Sequence, residues 1–224
     1  MEVLHKTVKG TLLVFIGILL GFALITGVFA ASRGAFFSNI FGLDYIYDKR
    51  LRELEITADS GELMRLAFSV LEYIKEGDYE SLAEISHPEF GIVFSPYATI
   101  NYTKSKCFMP DEIKKFDKNN NLFVWGVFDG SGDPIEMTIS EYFGRFVYDK
   151  DFICATQIGV DYLVKTGNAL ENLADIFPGA RFVDFHFPGD EKNDGLDWSS
   201  LRLVFEEYDG GLRLAALVHS EWTV

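Results

Sequence analysis

The sequence predicts an α+β domain, helices first and antiparallel strands last, carried behind an N-terminal transmembrane helix. Three observations lead there. An uninterrupted apolar run opens the chain, a helix-spaced apolar pattern starts at Asp59, and strand-like segments separated by Gly- and Asp-rich turns fill the remainder. With 224 residues, 48% hydrophobic and 15% aromatic, there is room for one globular core beyond the apolar run.

Residues 11–31, "TLLVFIGILLGFALITGVFAA", carry no charge. At about 1.5 Å per residue they reach across a hydrocarbon layer of about 30 Å. A secretory signal peptide is the rival reading, with Lys6 and Lys9 as its basic start and Val28-Phe29-Ala30 as a small-residue pattern for cleavage after Ala30. The length of the run favours a retained single-pass anchor with the amino terminus inside and the domain extracytoplasmic. No Cys lies near its end, which excludes lipid attachment there. The organisation expected is an anchor with a short tail over 1–31, a juxtamembrane linker over 32–58, and a soluble α+β domain over 59–224.

Within that domain Asp59, with Glu62 three residues on, reads as a helix cap, and Leu63, Leu66, Ala67, Val70, Leu71 and Ile74 repeat at helical spacing. Gly77 ends the helix, and Asp78 caps a shorter one that burial of Tyr79, Leu82 and Ile85 stabilises before His87-Pro88 stops it. "EFGIVFSPYATI" then reads as extended, residues 110–116 as a short helix, and "NLFVWGVFDGSGDPIEMTI" as a hairpin. Residues 140–148 form a helical patch. A strand at 181–187, an acidic loop and a terminal hairpin follow.

This order resembles the NTF2-like (cystatin-like) cone, in which a curved antiparallel sheet wraps around N-terminal helices. The phrases "HPEFGIVFSPYA", "WGVFDGSGDPI", "FVYDKDF" and "LDWSSLRLVFEEYDGGLRLAALVHSEWT" are also similar to a group of uncharacterised bacterial extracytoplasmic proteins. The first resemblance implies an apolar cavity at the open end of the cone; the second implies no activity.

Composition narrows the partners. The net charge is -14, and beyond residue 31 there are 18 basic against 33 acidic residues. Nucleic acid is excluded as a partner, and the domain surface is unsuited to anionic lipid headgroups. Partners expected are the membrane, through the N-terminal helix, and a small ligand or an envelope protein.

No motif for metal or cofactor is complete, and none is expected. "DGSGDPIEMTIS" starts like a calcium loop at Asp129, Ser131 and Asp133, but Pro134 stands where the turn needs Gly and Ser140 where a bidentate Glu belongs. The acidic loop offers Asp190, Asn193, Asp194 and Asp197 as oxygen ligands, and reads as ordinary acidic surface. The four histidines lack zinc spacing. Cys107 and Cys154 read equally as a disulfide or as two buried thiols.

Candidate pocket residues are Tyr97, Trp125, Tyr142 and Trp222, aromatics suited to lining a cavity for a small apolar ligand, with His219 and Glu221 as a polar pair. Strict alternation along the last strand puts Leu212, Leu214, Ala216 and Val218 on one face and His219 with Glu221 on the other, about 7 Å apart. The functional reading expected is a non-enzymatic, membrane-tethered domain binding a small ligand or envelope partner. The alternative is an NTF2-like pocket enzyme of the isomerase or dehydratase kind using the His/acid pair. Core packing for the aromatics, and an open polar face for His219 and Glu221, are the plain structural readings beside these.

Overall fold

A computed structural model describes residues 43–101 and 103–223, with side chains from residue 59 onward. Residues 59–224 form a compact unit that holds the sheet and its packed core. Helix α1 spans Leu43–Glu76. It therefore starts before Asp59, which lies inside it and pairs with Arg181 instead of capping. α1 buries Leu63, Ala67, Val70, Leu71 and Ile74, the stripe its periodicity predicts. It ends where Gly77 adopts φ +68°. The Asp78 N–H then reaches Tyr73 O at 2.8 Å and the Gly77 N–H reaches Ile74 O at 3.3 Å, the paired bonds of a Schellman close. Helix α2, Tyr79–Ile85, starts on Asp78, whose carboxylate accepts from the Ser81 N–H.

Strands β1 (Ile92–Ser95), β2 (Lys106–Phe108), β5 (Gln157–Val160), β6 (Arg181–Phe187), β7 (Ser199–Tyr208) and β8 (Gly211–Glu221) form one sheet in the order β2-β1-β8-β7-β6-β5. β3 (Phe123–Val127) and β4 (Pro134–Met137) make a separate two-stranded hairpin. Short helices α3 (Pro110–Ile113), α4 (Ile139–Tyr142) and α5 (Leu173–Ile176) and three single 3-10 turns, Phe116–Lys118, Phe152–Cys154 and Glu191–Asn193, complete the described elements, with α4 held by a Thr138/Glu141 capping box and continued by a single π turn, Phe143–Val147.

This architecture corrects two expectations. The sheet is mixed, because β1 runs parallel to β8 with Val93 opposite Ala216, and α1 is the one long helix among the described residues, so an antiparallel NTF2-like cone around several helices is not what the chain builds. Parallel pairing across that much sequence leaves no local signature; the pattern of Ile92–Ser95 specifies a buried strand and not its neighbour. Second, no helix among the described residues is long and apolar enough to cross a membrane. The apolar run at 11–31 lies outside the described residues, and the described part of the expected linker, 43–58, is helical.

The sheet has two differently covered faces. On the helix side Phe94, Phe185, Leu203 and Leu217 pack against α1, α2 and the β3–β4 hairpin. On the other side Val93, Val204, Ala216 and Val218 pack under Leu173 and Phe177, which belong to the loop crossing from β5 to β6.

Candidate functional site

Where β8 ends, a bulge decides which residues meet. Val204 pairs with Ala216 but Phe205 pairs with Leu214, leaving Ala215 as the extra residue. Alternation slips by one there. Leu212 and Leu214 consequently share the helix-side face with Leu217, His219 and Glu221, and Ala216 and Val218 turn to the loop side. The face predicted to be polar and open is the covered one, and His219 is fully buried.

Three segments converge on that histidine. Its Nδ1 donates to the Pro96 carbonyl at 3.3 Å, an assignment forced because the carbonyl can only accept. Its Nε2 lies 3.2 Å from Ser199 Oγ and 3.6 Å from Asp149 Oδ1. Ser199 Oγ in turn donates to Asp149 Oδ2 at 2.9 Å. The donor chain is complete when both ring nitrogens carry protons. Burial pushes the Asp149 carboxyl up, but the His219 contact, the imidazole's charge and the Ser199 hydroxyl outweigh it and hold the group below its ordinary value. Ser, His and Asp here are not arranged for acyl transfer. In such a triad the carboxylate orients the nitrogen remote from the serine, whereas both Ser199 and Asp149 stand at Nε2, and Ser199 is itself buried.

The π turn after α4 presents Arg145 and Phe146 over this cluster. Arg145 forks onto Glu221 at 2.6 and 3.1 Å and lies over the Phe146 ring at 4.3 Å from its centroid. Phe146 meets His219 edge-on at 5.6 Å and Tyr97 at 5.9 Å. Burial, with the Glu221 charge adding to it, raises the Tyr97 hydroxyl so that it stays protonated. The side chains of Arg145, Glu221 and Asp149 are 42%, 22% and 19% exposed, which makes them the accessible rim of an otherwise closed cluster.

Of the residues predicted for a pocket, Tyr97, His219 and Glu221 come together around Phe146. His219 and Glu221 do not pair: each is engaged by its own partners. Trp125 and Tyr142 stack at 3.8 Å with planes 8° apart inside the core, where Trp125 Nε1 donates to Met137 O. They fill rather than line. Burial drives the Tyr142 hydroxyl well above its ordinary value. Trp222 stands 37% exposed beyond the end of β8, away from these rings.

The loop-side face holds a second polar group that sequence reading missed. Arg202, in the middle of β7, is fully buried and forks onto Glu171 at 2.5 and 2.9 Å. Buried Asp184 faces it across the strand pair and accepts from the Val164 N–H at 2.8 Å. Burial raises the Asp184 carboxyl, against the opposing pull of Arg202. Two pairs further along, on the same face, His186 Nδ1 lies 2.8 Å from Ser200 Oγ, and Ser220 sits opposite Ser200. In the sequence these residues alternate with apolar ones and read as solvent-facing; the only signal was that β6 and β7 lie centrally enough to be covered on both sides.

The remaining motifs resolve as structure. His87 Nδ1 accepts from the N–H groups of Glu89 and Phe90, fixing a turn. Asp197 accepts from the Asp190 N–H and from Asn193 Nδ2, so the acidic loop satisfies its own carboxylate. Among the described residues no group of three metal-binding side chains gathers. Cys107 and Cys154 are both free and both exposed.

Comparison with known proteins finds no matching family model and no matching curated protein.

Proposed function

We propose that the domain is a non-catalytic binding module whose recognition surface is the rim of Tyr97, Arg145, Asp149 and Glu221. The observation that carries this is the half-exposed Arg145–Glu221 fork over an aromatic ring: a planar donor set beside a carboxylate, able to exchange with a small polar ligand or a partner's side chain. Behind it His219 and Ser199 are sealed, which favours reading them as support for the rim and weighs against nucleophilic chemistry. A His219/Glu221 acid–base pair is weighed down further by the engagement of each residue elsewhere. Placement outside the cytoplasm at a membrane belongs to the same proposal, and its support is the sequence of residues 11–31 alone.

The test is a thermal-shift screen of polar metabolites and cell-envelope fragments on the full chain, repeated on Arg145→Ala and Glu221→Gln. Ligands that stabilise the parent should lose their effect in both variants. Ligands indifferent to both substitutions would overturn the rim, and turnover of any bound compound that vanishes in His219→Gln would overturn the non-catalytic reading.

A further inference from the structure

We infer that the polar half of the loop-side face, beneath residues 161–180, is a binding site for a small molecule bearing one carboxylate, which docks on Arg202 in place of Glu171. The site is independent of the Arg145–Glu221 rim.

On this face the same loop is held in two ways. Under Leu173 and Phe177 the contacts are apolar. Beneath the rest of the loop the strands instead present Asp184, His186, Ser200, Arg202 and Ser220, each no more than 3% exposed. Apolar residues would hold a loop there as well or better, because replacing a buried ion pair with packed hydrophobic groups is generally neutral or stabilising. Strength alone does not account for the charges.

The bonding is also incomplete. Arg202 Nε and Asp184 Oδ1 form a buried ion pair 3.3 Å apart, but the contact lacks hydrogen-bond geometry and neither atom has another hydrogen-bond partner. Fully enclosed charged groups with spare bonding capacity are uncommon in a finished core. The fork of Arg202 already grips a carboxylate, that of Glu171, the one member of the triad with appreciable exposure, 18%. Glu171 enters from a loop whose Val164 N–H donates to Asp184 and whose Lys165 carbonyl accepts from Arg202, and that lies close enough for a Cβ on Gly167 to come within 3.0 Å of the Trp198 ring.

Charge selects the ligand. Exchanging Glu171 for an external monocarboxylate leaves the balance around Arg202 and Asp184 unchanged. A phosphate dianion would add a negative charge beside buried Asp184. The His186–Ser200 pair, two residues along β6 and β7, offers a donor and an acceptor about 7 Å from the fork for the remainder of the molecule. Glu171 thus acts as an internal competitor, and the apparent affinity is reduced by the fraction of time it occupies the fork.

Trp198, whose ring lies 5.8 Å from His186, reports on the site. The full chain is titrated with sodium acetate, against sodium chloride at matched ionic strength, and tryptophan fluorescence is followed. A saturable change specific to acetate is expected in the parent and lost in Trp198→Phe. Glu171→Gln should bind about tenfold more tightly, because the competitor is removed. Arg202→Lys, which keeps the charge but loses the fork, should not bind. The proposal is overturned if the parent shows no saturation, if Glu171→Gln binds no more tightly, or if a folded Arg202→Lys titrates like the parent. Should Arg202→Lys not fold, the parent and Glu171→Gln decide between them.

Discussion

Replacing Arg202 with Met removes a buried cation while keeping a side chain of similar length. Asp184 is then left fully buried, with Oδ2 bonded to the Val164 N–H and no countercharge. Glu171, at the loop surface, can turn to water; Asp184 cannot. Breaking a buried pair from one side costs about 3–5 kcal/mol, a large part of a total near 5–15. At about 2–4 °C per kcal/mol for a domain of this size, the melting midpoint should fall by about 6–20 °C. Adding Asp184→Asn keeps the acceptor for Val164 and deletes the stranded charge, so the double variant should recover most of the loss. pH supplies a second check. The folded-state pKa of Asp184 is raised above its ordinary 3.8, so its favourable contribution is present below 3.8 and lost as pH rises through the folded value. Removing Arg202 deletes an influence that lowers that value. The deficit of Arg202→Met against the parent should therefore shrink as pH falls toward the carboxylate range. Urea unfolding at several pH values measures all of this. A single variant within about 1 kcal/mol of the parent, or a double variant no better than the single, would refute the buried charge as described.

Further outcomes are expected from the same measurement. His219→Ala should cost about 2–4 kcal/mol, since both ring nitrogens and the Phe146 edge contact are lost from a buried position; a cost under 1 would restore the open-face reading. Glu221→Ala should stay within about 1 kcal/mol, because Arg145 remains hydrated. Asp149, held below 3.8, contributes stability above that pH which is lost as pH falls through its folded value. Asp149→Asn should accordingly flatten the stability curve below about pH 4, and an unchanged acid limb would contradict the His219–Ser199–Asp149 geometry. Trp125→Ala should cost about 3–5 kcal/mol through loss of the stack on Tyr142, with near-ultraviolet circular dichroism reporting the lost stack.

What the sequence revealed was local. The stripe from Leu63 to Ile74, the Asp78 cap, the β3–β4 turn and the pairing of β7 with β8 all follow from periodicity and turn chemistry within a few residues. Two features escaped because their causes are not local. The parallel placement of β1 against β8 depends on a partner more than a hundred residues away. The bulge at Ala215 adds a single residue to one strand, and nothing in "LRLAALVHS" marks where alternation slips. That slip is why His219 was expected toward water and is found inside. For the site, Tyr97 was recoverable as an aromatic residue just past a strand, and His219 and Glu221 as polar residues on the last one. Arg145 and Asp149 were not, because a π turn in a short helical patch aims the first and the bend that follows it aims the second. Arg202 and Asp184 look like surface charges until a loop is laid over them.

The position of β8 between β1 and β7 also fixes a timetable for biosynthesis. Val93 leaves the ribosome 123 residues ahead of Ala216, the residue it faces. At about 5–20 residues per second, β1 waits roughly 6–25 s for its inner neighbour. Throughout that interval the apolar run Ile92-Val93-Phe94 can pair only outward, with β2, and its other edge is open to any extended nascent chain. The sheet therefore closes as one late, long-range event. Ribosomes pausing within the last strand would hold the chain in its most aggregation-exposed form, so the supply of chaperones during synthesis should govern yield more strongly than the stability of the finished fold.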